Sequence, residues 1–210
     1  MNSRLVLAVS AAILCTTGCG DDGPPTLDYP VSISNTGAEL EGHTPAGFAG
    51  SGTGLLAGDN LDADFPDGEG VQFFVSFELP AGLEAGPTVL RSEALDEVGD
   101  PFEDLGALRA HPMFFDEFAP ELYDQRPDGE GIACERADAT TIECDVTPML
   151  TNAVVKNRTH VQFRLRFDTP GDGDGEPDLA RFFLTDPTTN EPGIFNLIVE
   201  APSPAPVDGS

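Results

Sequence analysis

The sequence predicts an all-β protein, an antiparallel β-sandwich of jelly-roll-like form with one short helix. Two stretches of strict alternation carry most of that expectation. In Val71-Gln72-Phe73-Phe74-Val75-Ser76-Phe77-Glu78-Leu79, positions 71, 73, 75, 77 and 79 are all apolar. From Thr159 to Phe167, Val161, Phe163, Leu165 and Phe167 alternate with His160, Gln162, Arg164 and Arg166. Period two over that length marks a strand with one face on a core. The third observation is composition. Gly (23) and Pro (19) make up a fifth of the 210 residues, while 40 % are hydrophobic. That favours many short strands around a real core over long helices or wholesale disorder.

Taken from the N-terminus, Arg4 precedes an apolar run from Leu5 to Leu14 that only Ser10 interrupts. The run is too short to span a membrane and reads as a secretory signal peptide over residues 1–18. Thr16-Thr17-Gly18-Cys19 resembles the lipobox of bacterial lipoproteins, with Thr16 where Leu is usual. The resemblance implies cleavage before Cys19 and lipidation of its thiol. Gly20 rather than Asp follows, which in that family implies an outer-membrane anchor, on the periplasmic or the cell-surface face. The other reading is an ordinary signal peptide with Cys19 left as a thiol.

Residues 19–30 read as a lipid-anchored tether, 31–200 as the sandwich domain and 201–210, with its prolines, as a disordered tail. Weaker strand patterns run over Val31–Ser34, Thr88–Leu95, Ala107–Phe114, Thr141–Val146, Leu179–Leu184 and Ile194–Glu200. Thr147 as N-cap and Pro148 at the first helical position predict a helix through Lys156. Cys134 and Cys144 are an even pair in an exported chain and predict a disulfide across a turn at Asp138-Ala139-Thr140. Closing a loop of that length is worth roughly 2.5–3 kcal/mol on the chain-entropy account. A metal pair is the rival reading, and no His lies near.

Lys and Arg number 10 against 37 Asp and Glu, a net charge of −27. Such acidity argues against nucleic acid and against attraction to anionic lipid, both of which need clustered Lys and Arg.

Several segments, in order, resemble the exported DNRLRE-type β-sandwich domains related to carbohydrate-binding modules. They are Phe73-Phe74-Val75-Ser76-Phe77-Glu78-Leu79 with Pro80-Ala81-Gly82, Asp145-Val146-Thr147-Pro148, Gln162-Phe163-Arg164-Leu165-Arg166-Phe167, Asp172-Gly173-Asp174-Gly175 and Ala180-Arg181-Phe182-Phe183. The resemblance covers roughly residues 37–200. The closing strand Ile194-Phe195-Asn196-Leu197-Ile198-Val199 and a long insert around Phe115–Ile132 depart from the family's pattern. The resemblance implies a non-catalytic module on an exported protein, in some members one that binds polysaccharide.

Chemistry-bearing residues concentrate in a few places. Asp172, Asp174, Glu176 and Asp178 stand at spacing two, separated by Gly or Pro. Oxygen-only ligands on a flexible backbone suit a structural Ca²⁺; the bland reading is a solvated acidic turn. Pro177 and Phe183 stand where an EF-hand needs Gly and Glu, so it is not one. Pro66-Asp67-Gly68-Glu69-Gly70 and Pro127-Asp128-Gly129-Glu130-Gly131 read as turn chemistry. His160, Arg164 and Arg166 share the polar face of one strand, with Phe74 outward on another. They are candidates for binding an acidic polysaccharide, Arg matching carboxylates bidentately, or for pairing with neighbouring acids. Phe114, Phe115 and Phe118 read as a cover over the sandwich edge.

His43, His111 and His160 are scattered, and no zinc spacing, nucleophile elbow or phosphate loop is present. The sequence therefore predicts a non-catalytic outer-membrane module. Its expected partners are the membrane through the lipid, a polysaccharide and an envelope protein. A structural envelope protein without small ligand, and a hydrolase using an acid pair, are the alternatives.

Overall fold

The computed structural model describes residues 26–30, 38–41, 44–48, 55–60, 70–93, 95–182 and 195–200. Two antiparallel sheets enclose one apolar core. The smaller runs in the order β1 (Thr26–Pro30), β14 (Phe195–Glu200), β6 (Thr88–Ser92), β11 (Ile142–Asp145) and β10 (Glu135–Arg136). The larger runs β7 (Leu95–Val98), β13 (Asp178–Phe182), β4 (Leu55–Asp59), β5 (Val71–Glu78), β12 (His160–Phe167), β8 (Leu108–Met113) and β9 (Ile132–Ala133). Beside β5 it also carries β2 (Ala38–Glu41), to which β3 (Thr44–Phe48) pairs. The chain passes repeatedly between the sheets, from β5 to β6, back at β7, and again at β10, β12 and β14. The all-β antiparallel sandwich expected from the sequence is the fold.

The two alternating stretches become β5 and β12, which pair at the centre of the larger sheet. Their apolar positions, among them Phe73, Val75, Phe77, Phe163 and Leu165, are fully buried and meet Leu90, Ile142 and Leu197 of the smaller sheet. Phe73 packs on Phe182 and Phe77 on Phe163, with ring centroids 5.4 and 6.3 Å apart. Burying an aromatic ring of this size is the largest single contribution a side chain makes to such a core.

After a single turn, α1 (Pro101–Asp104), the expected helix forms as α2 (Thr147–Val155), with Val146 rather than Thr147 in the N-cap position. The Thr147 hydroxyl does not cap it. It accepts a hydrogen bond from the Thr88 backbone N–H at 2.8 Å and donates to the Asp145 carboxylate, tying the helix start to β6. Asp145 in turn accepts from the Thr147 N–H, the service a capping side chain gives. Cys134 and Cys144 form the expected disulfide, with Cα atoms 4.2 Å apart. Asp138 closes the turn between them, its carboxylate accepting from the N–H groups of Thr140 and Thr141. Those bonds, Thr140's backbone first, hold its pKa below the ordinary carboxylate value.

One boundary moves. The last five residues assigned to the tether are β1, whose Thr26–Pro30 pair in register with Glu200–Asn196 of β14. Pro30 falls in the final position of this edge strand, a place where a missing N–H is tolerated. The signal peptide, Cys19, the strand pattern at 31–34 and the tail 201–210 lie outside the described residues. Among the described residues no helix is long and apolar enough to cross a membrane.

Candidate functional site

The outer face of the larger sheet is where the alternation reads as polar, at Gln72, Ser76, Gln162 and Arg164. These side chains are nevertheless buried, Arg164 at 2 % exposure. The cover is the long insert, which crosses the face as a strap containing one 3-10 turn, Pro120–Tyr123. The polar side chains bind its backbone. Gln162 accepts from the Phe115 N–H at 3.0 Å and donates to the Phe115 carbonyl at 2.9 Å, as a neighbouring strand would. Gln72 donates to the Tyr123 carbonyl, and Arg164 donates to the carbonyls of Tyr123 and Gln125, both at 3.1 Å. A loop with little regular structure has unpaired backbone groups, and burying it requires side chains that satisfy them.

Phe74 explains why the strap sits there. The expectation that it faces outward to a ligand is corrected: it is fully buried. It lies in a second apolar cluster with Met113, Phe115 and Leu122, and Phe118 packs against it. Phe115 and Phe118 meet its ring edge-on at 6.0 and 5.8 Å. The expected aromatic cover therefore exists through these two residues. Phe114 instead stays exposed, beneath the Arg158 guanidinium at 4.3 Å.

Beside the strap the sheet is left uncovered, and a cleft of about 650 Å³ opens. Its floor and walls include Gln72, Tyr123, Arg126, Arg164, Arg166 and Asp168. Gly70 shapes one wall. It has φ +65°, and a side chain there would run into Pro170, also in the lining. Tyr123 bridges the walls, its hydroxyl donating to the Gly70 carbonyl at 3.2 Å.

Across β12 and β8 the cationic residues stand in two rungs, Arg164 opposite His111 and Arg166 opposite Arg109. Burial lowers the Arg164 pKa to about 10, helped by Arg166 and partly offset by Tyr123 and Asp124. Burial likewise lowers His111 to about 4, reinforced by Arg166, Arg164 and Arg109. Near neutral pH the imidazole is thus neutral beside three charged arginines. Asp168 is bound by Arg109 and by the Ala107 N–H, and the Arg109 bond chiefly holds its pKa below the ordinary value.

Of the four predicted ligand residues, the structure brings only Arg164 and Arg166 to the cleft. Phe74 is beneath the strap. His160 lies at the other end of β12, its ring against the Thr159 hydroxyl and beside Arg158. The acid pairing weighed for Arg164 is replaced by backbone carbonyls. Gln72, Arg126 and His111 are site residues that strand alternation alone does not pick out. The one signal that pointed at them was Phe74 itself, a large apolar side chain at a polar position, which demands a cover.

The acidic loop brings three of its four carboxylates together. Asp172, Asp174 and Asp178 can each offer an oxygen within 4.8 Å of one another. Glu176 does not join them. It is exposed, and its N–H donates to Asp174 at 2.7 Å within the turn. Asp178 differs from the other two in being buried in β13, opposite Asp59 of β4, and it accepts from the Asp100 N–H at 2.8 Å. Three oxygen donors in this arrangement can take a hard cation. No protein-family model matches this chain, and no curated protein matches it.

Proposed function

We propose that the protein is a non-catalytic envelope module, anchored in the outer membrane by a lipid on Cys19, that binds carbohydrate or another cell-envelope component in the cleft beside the strap. The observation that carries this reading is the cleft itself. It opens on the outer face of the larger sheet, walled on one side by the strap. It presents an aromatic hydroxyl, an amide and guanidinium groups, the planar donors and acceptors that sugar hydroxyls pair with. The resemblance to DNRLRE-type modules points to the same ligand class.

A binding role also suits the electrostatics. A glycoside-cleaving pair needs one carboxyl group whose pKa is raised. The cleft carboxylate with a resolved shift, Asp168, is moved the other way. Asp104 is raised, by desolvation and by Asp178, Asp172, Asp100 and Glu103, but it is fully exposed and not part of the cleft lining. That accumulation of negative charge around Asp172 and Asp178 is what a structural Ca²⁺ would relieve. Calcium is part of the proposal in that capacity.

The test is a glycan and polysaccharide binding screen on the full chain in detergent, run in Ca²⁺ and again in chelator. Saturable binding weakened by Tyr123→Ala supports the reading. A folded protein that binds none of the glycans in either condition shifts the assignment to a structural envelope role. A melting temperature that rises with Ca²⁺, and no longer does so in Asp172→Asn/Asp174→Asn, supports the ion. An unchanged melting temperature removes it.

A further inference from the structure

Arginines are scarce in this chain and acids abundant, so which arginines go without an acid is informative. Arg91, Arg109, Arg136, Arg158 and Arg181 each pair with an Asp or Glu at 3.4 Å or less. Three described arginines form no ion pair among the described residues: Arg126, Arg164 and Arg166. All three line the one cleft.

Arg164 is the deepest of them. Its guanidinium is bonded to two carbonyls, which satisfy hydrogen bonds and leave the positive charge uncancelled. Its Nε has no hydrogen-bond partner among the described residues. A buried charge with no ion pair, offset only in part by Asp124, is a costly arrangement for a fold to keep. Here it is made costlier by Arg166 two residues along the same strand.

We propose that the cleft is an oxyanion site and that the group it recognises is a phosphoryl dianion carried on a glycan. This rests on the carbohydrate reading above and names the ligand's class. The charge count among the described residues favours a dianion. Arg109 and Asp168 cancel as an ion pair, and Arg126, Arg164 and Arg166 in the lining stand against Asp124, which leaves two positive charges. A phosphomonoester carries about −1.5 to −2 near neutral pH, and guanidinium forks bind its oxygens bidentately. Arg166 and Arg126 supply the contacts at the mouth. Arg164 supplies the field from the floor. The net charge of −27 repels anions at a distance, but beyond about 8 Å that repulsion is screened at physiological ionic strength.

The experiment is calorimetric titration of the full chain in detergent with three probes. They are inorganic phosphate, a phosphorylated mannan oligosaccharide and the same oligosaccharide after phosphatase treatment. The phosphorylated form is expected to bind about tenfold more tightly than the dephosphorylated one, a difference that Arg166→Gln and Arg126→Gln each abolish. Both side chains are exposed, so these variants keep the fold, and their unfolding transitions check it. Equal affinity for the two oligosaccharides overturns the oxyanion site and leaves carbohydrate binding standing. Phosphate binding lost in the same variants, with neither oligosaccharide bound, upholds the oxyanion site and overturns the glycan. No response to phosphate or to the phosphorylated oligosaccharide overturns the inference whatever the third probe does.

Discussion

The two faces of the β5–β12 pair are built from one alternating sequence yet solve different problems. The inner face buries Phe73, Val75, Phe77, Phe163 and Leu165 against the opposite sheet. The outer face buries Phe74 together with Gln72, Gln162 and Arg164 against the strap. Inside, apolar area alone does the holding, and shape is the constraint. Outside, the strap contributes few apolar side chains, and its carbonyls and N–H groups must each be met by a specific donor or acceptor. The inner face therefore tolerates one apolar side chain for another of similar size but not lost volume. The outer face yields more to lost volume than to a lost donor or acceptor. The cleft opens where the strap stops.

The largest contrast comes from removing one ring on each side. Phe163→Ala is expected to cost about 3–5 kcal/mol in urea unfolding, with loss of global stability. Phe74→Ala is expected to cost less, about 2–3 kcal/mol, because the strap can settle into part of the space. Its signature is faster proteolytic cutting between residues 114 and 127 while the sandwich stays folded. If Phe74→Ala unfolds the whole protein without exposing the strap first, the two faces are one cooperative unit and the contrast fails.

A second variant attacks the chemistry of the outer face rather than its volume. Gln162→Leu keeps the size of the side chain but removes its amide, leaving the Phe115 N–H and carbonyl without their partner. Each buried group left unsatisfied costs about 1–3 kcal/mol. The expected loss is about 2 kcal/mol, with hydrogen exchange at the Phe115 amide accelerated far more than in β5. The same Leu at Gln125, whose amide donates to Phe114 from a more exposed position, should cost only a few tenths of a kcal/mol.

The sequence made the inner face plain because period-two alternation reports burial on one side directly. It was read too literally for the other side. Polar residues at Gln72, Gln162 and Arg164 look solvent-facing when only the strand is considered. Their burial depends on a segment that meets them 39 to 51 residues away along the chain, with no periodicity of its own. The same reason hid the cleft: Tyr123 and Arg126 lie on the strap, and their place over β12 is a tertiary fact. The disulfide was legible because the signal-peptide and lipobox readings set aside Cys15 and Cys19, and the two remaining cysteines allow one pairing. The acidic loop was legible as composition, but not that Asp178 would leave it for a strand while Glu176 stayed out in water.

His111 gives the outer face a pH response that the inner face lacks. Its folded pKa of about 4 lies below the ordinary 6.5. The unfolded chain then binds more protons between those values, so stability falls as pH drops. The contribution is fully present above 6.5 and is lost as pH falls through 4. The groups facing the ring are Arg164 across the strand pair, Arg109 and Arg166, which push its pKa down, and Asp168, which opposes them. The expected size is on the order of 2–3 kcal/mol, and His111→Gln should flatten that part of the curve in denaturant titrations at pH 7, 5.5 and 4. An identical slope in the variant would assign the acid sensitivity to carboxylates instead.

The smallest effect belongs to the ion pair at the edge of the cleft, and it tests whether these charges act as a set. Arg109 and Asp168 are 36 % and 44 % exposed, so Asp168→Asn is expected to cost no more than about 1 kcal/mol, and less at high salt. Asp168 has a lowered pKa, so what it contributes is present above the ordinary carboxylate pKa and disappears as pH falls through the lowered one. Its second effect is on its neighbour. Asp168 is the group that raises the His111 pKa against three arginines, and removing its charge leaves them unopposed. An NMR titration of the His111 ring in Asp168→Asn should therefore move to lower pH while global stability barely changes. A His111 titration that stays where it was would mean that burial alone sets it, and that the arginines along this face do not feel one another.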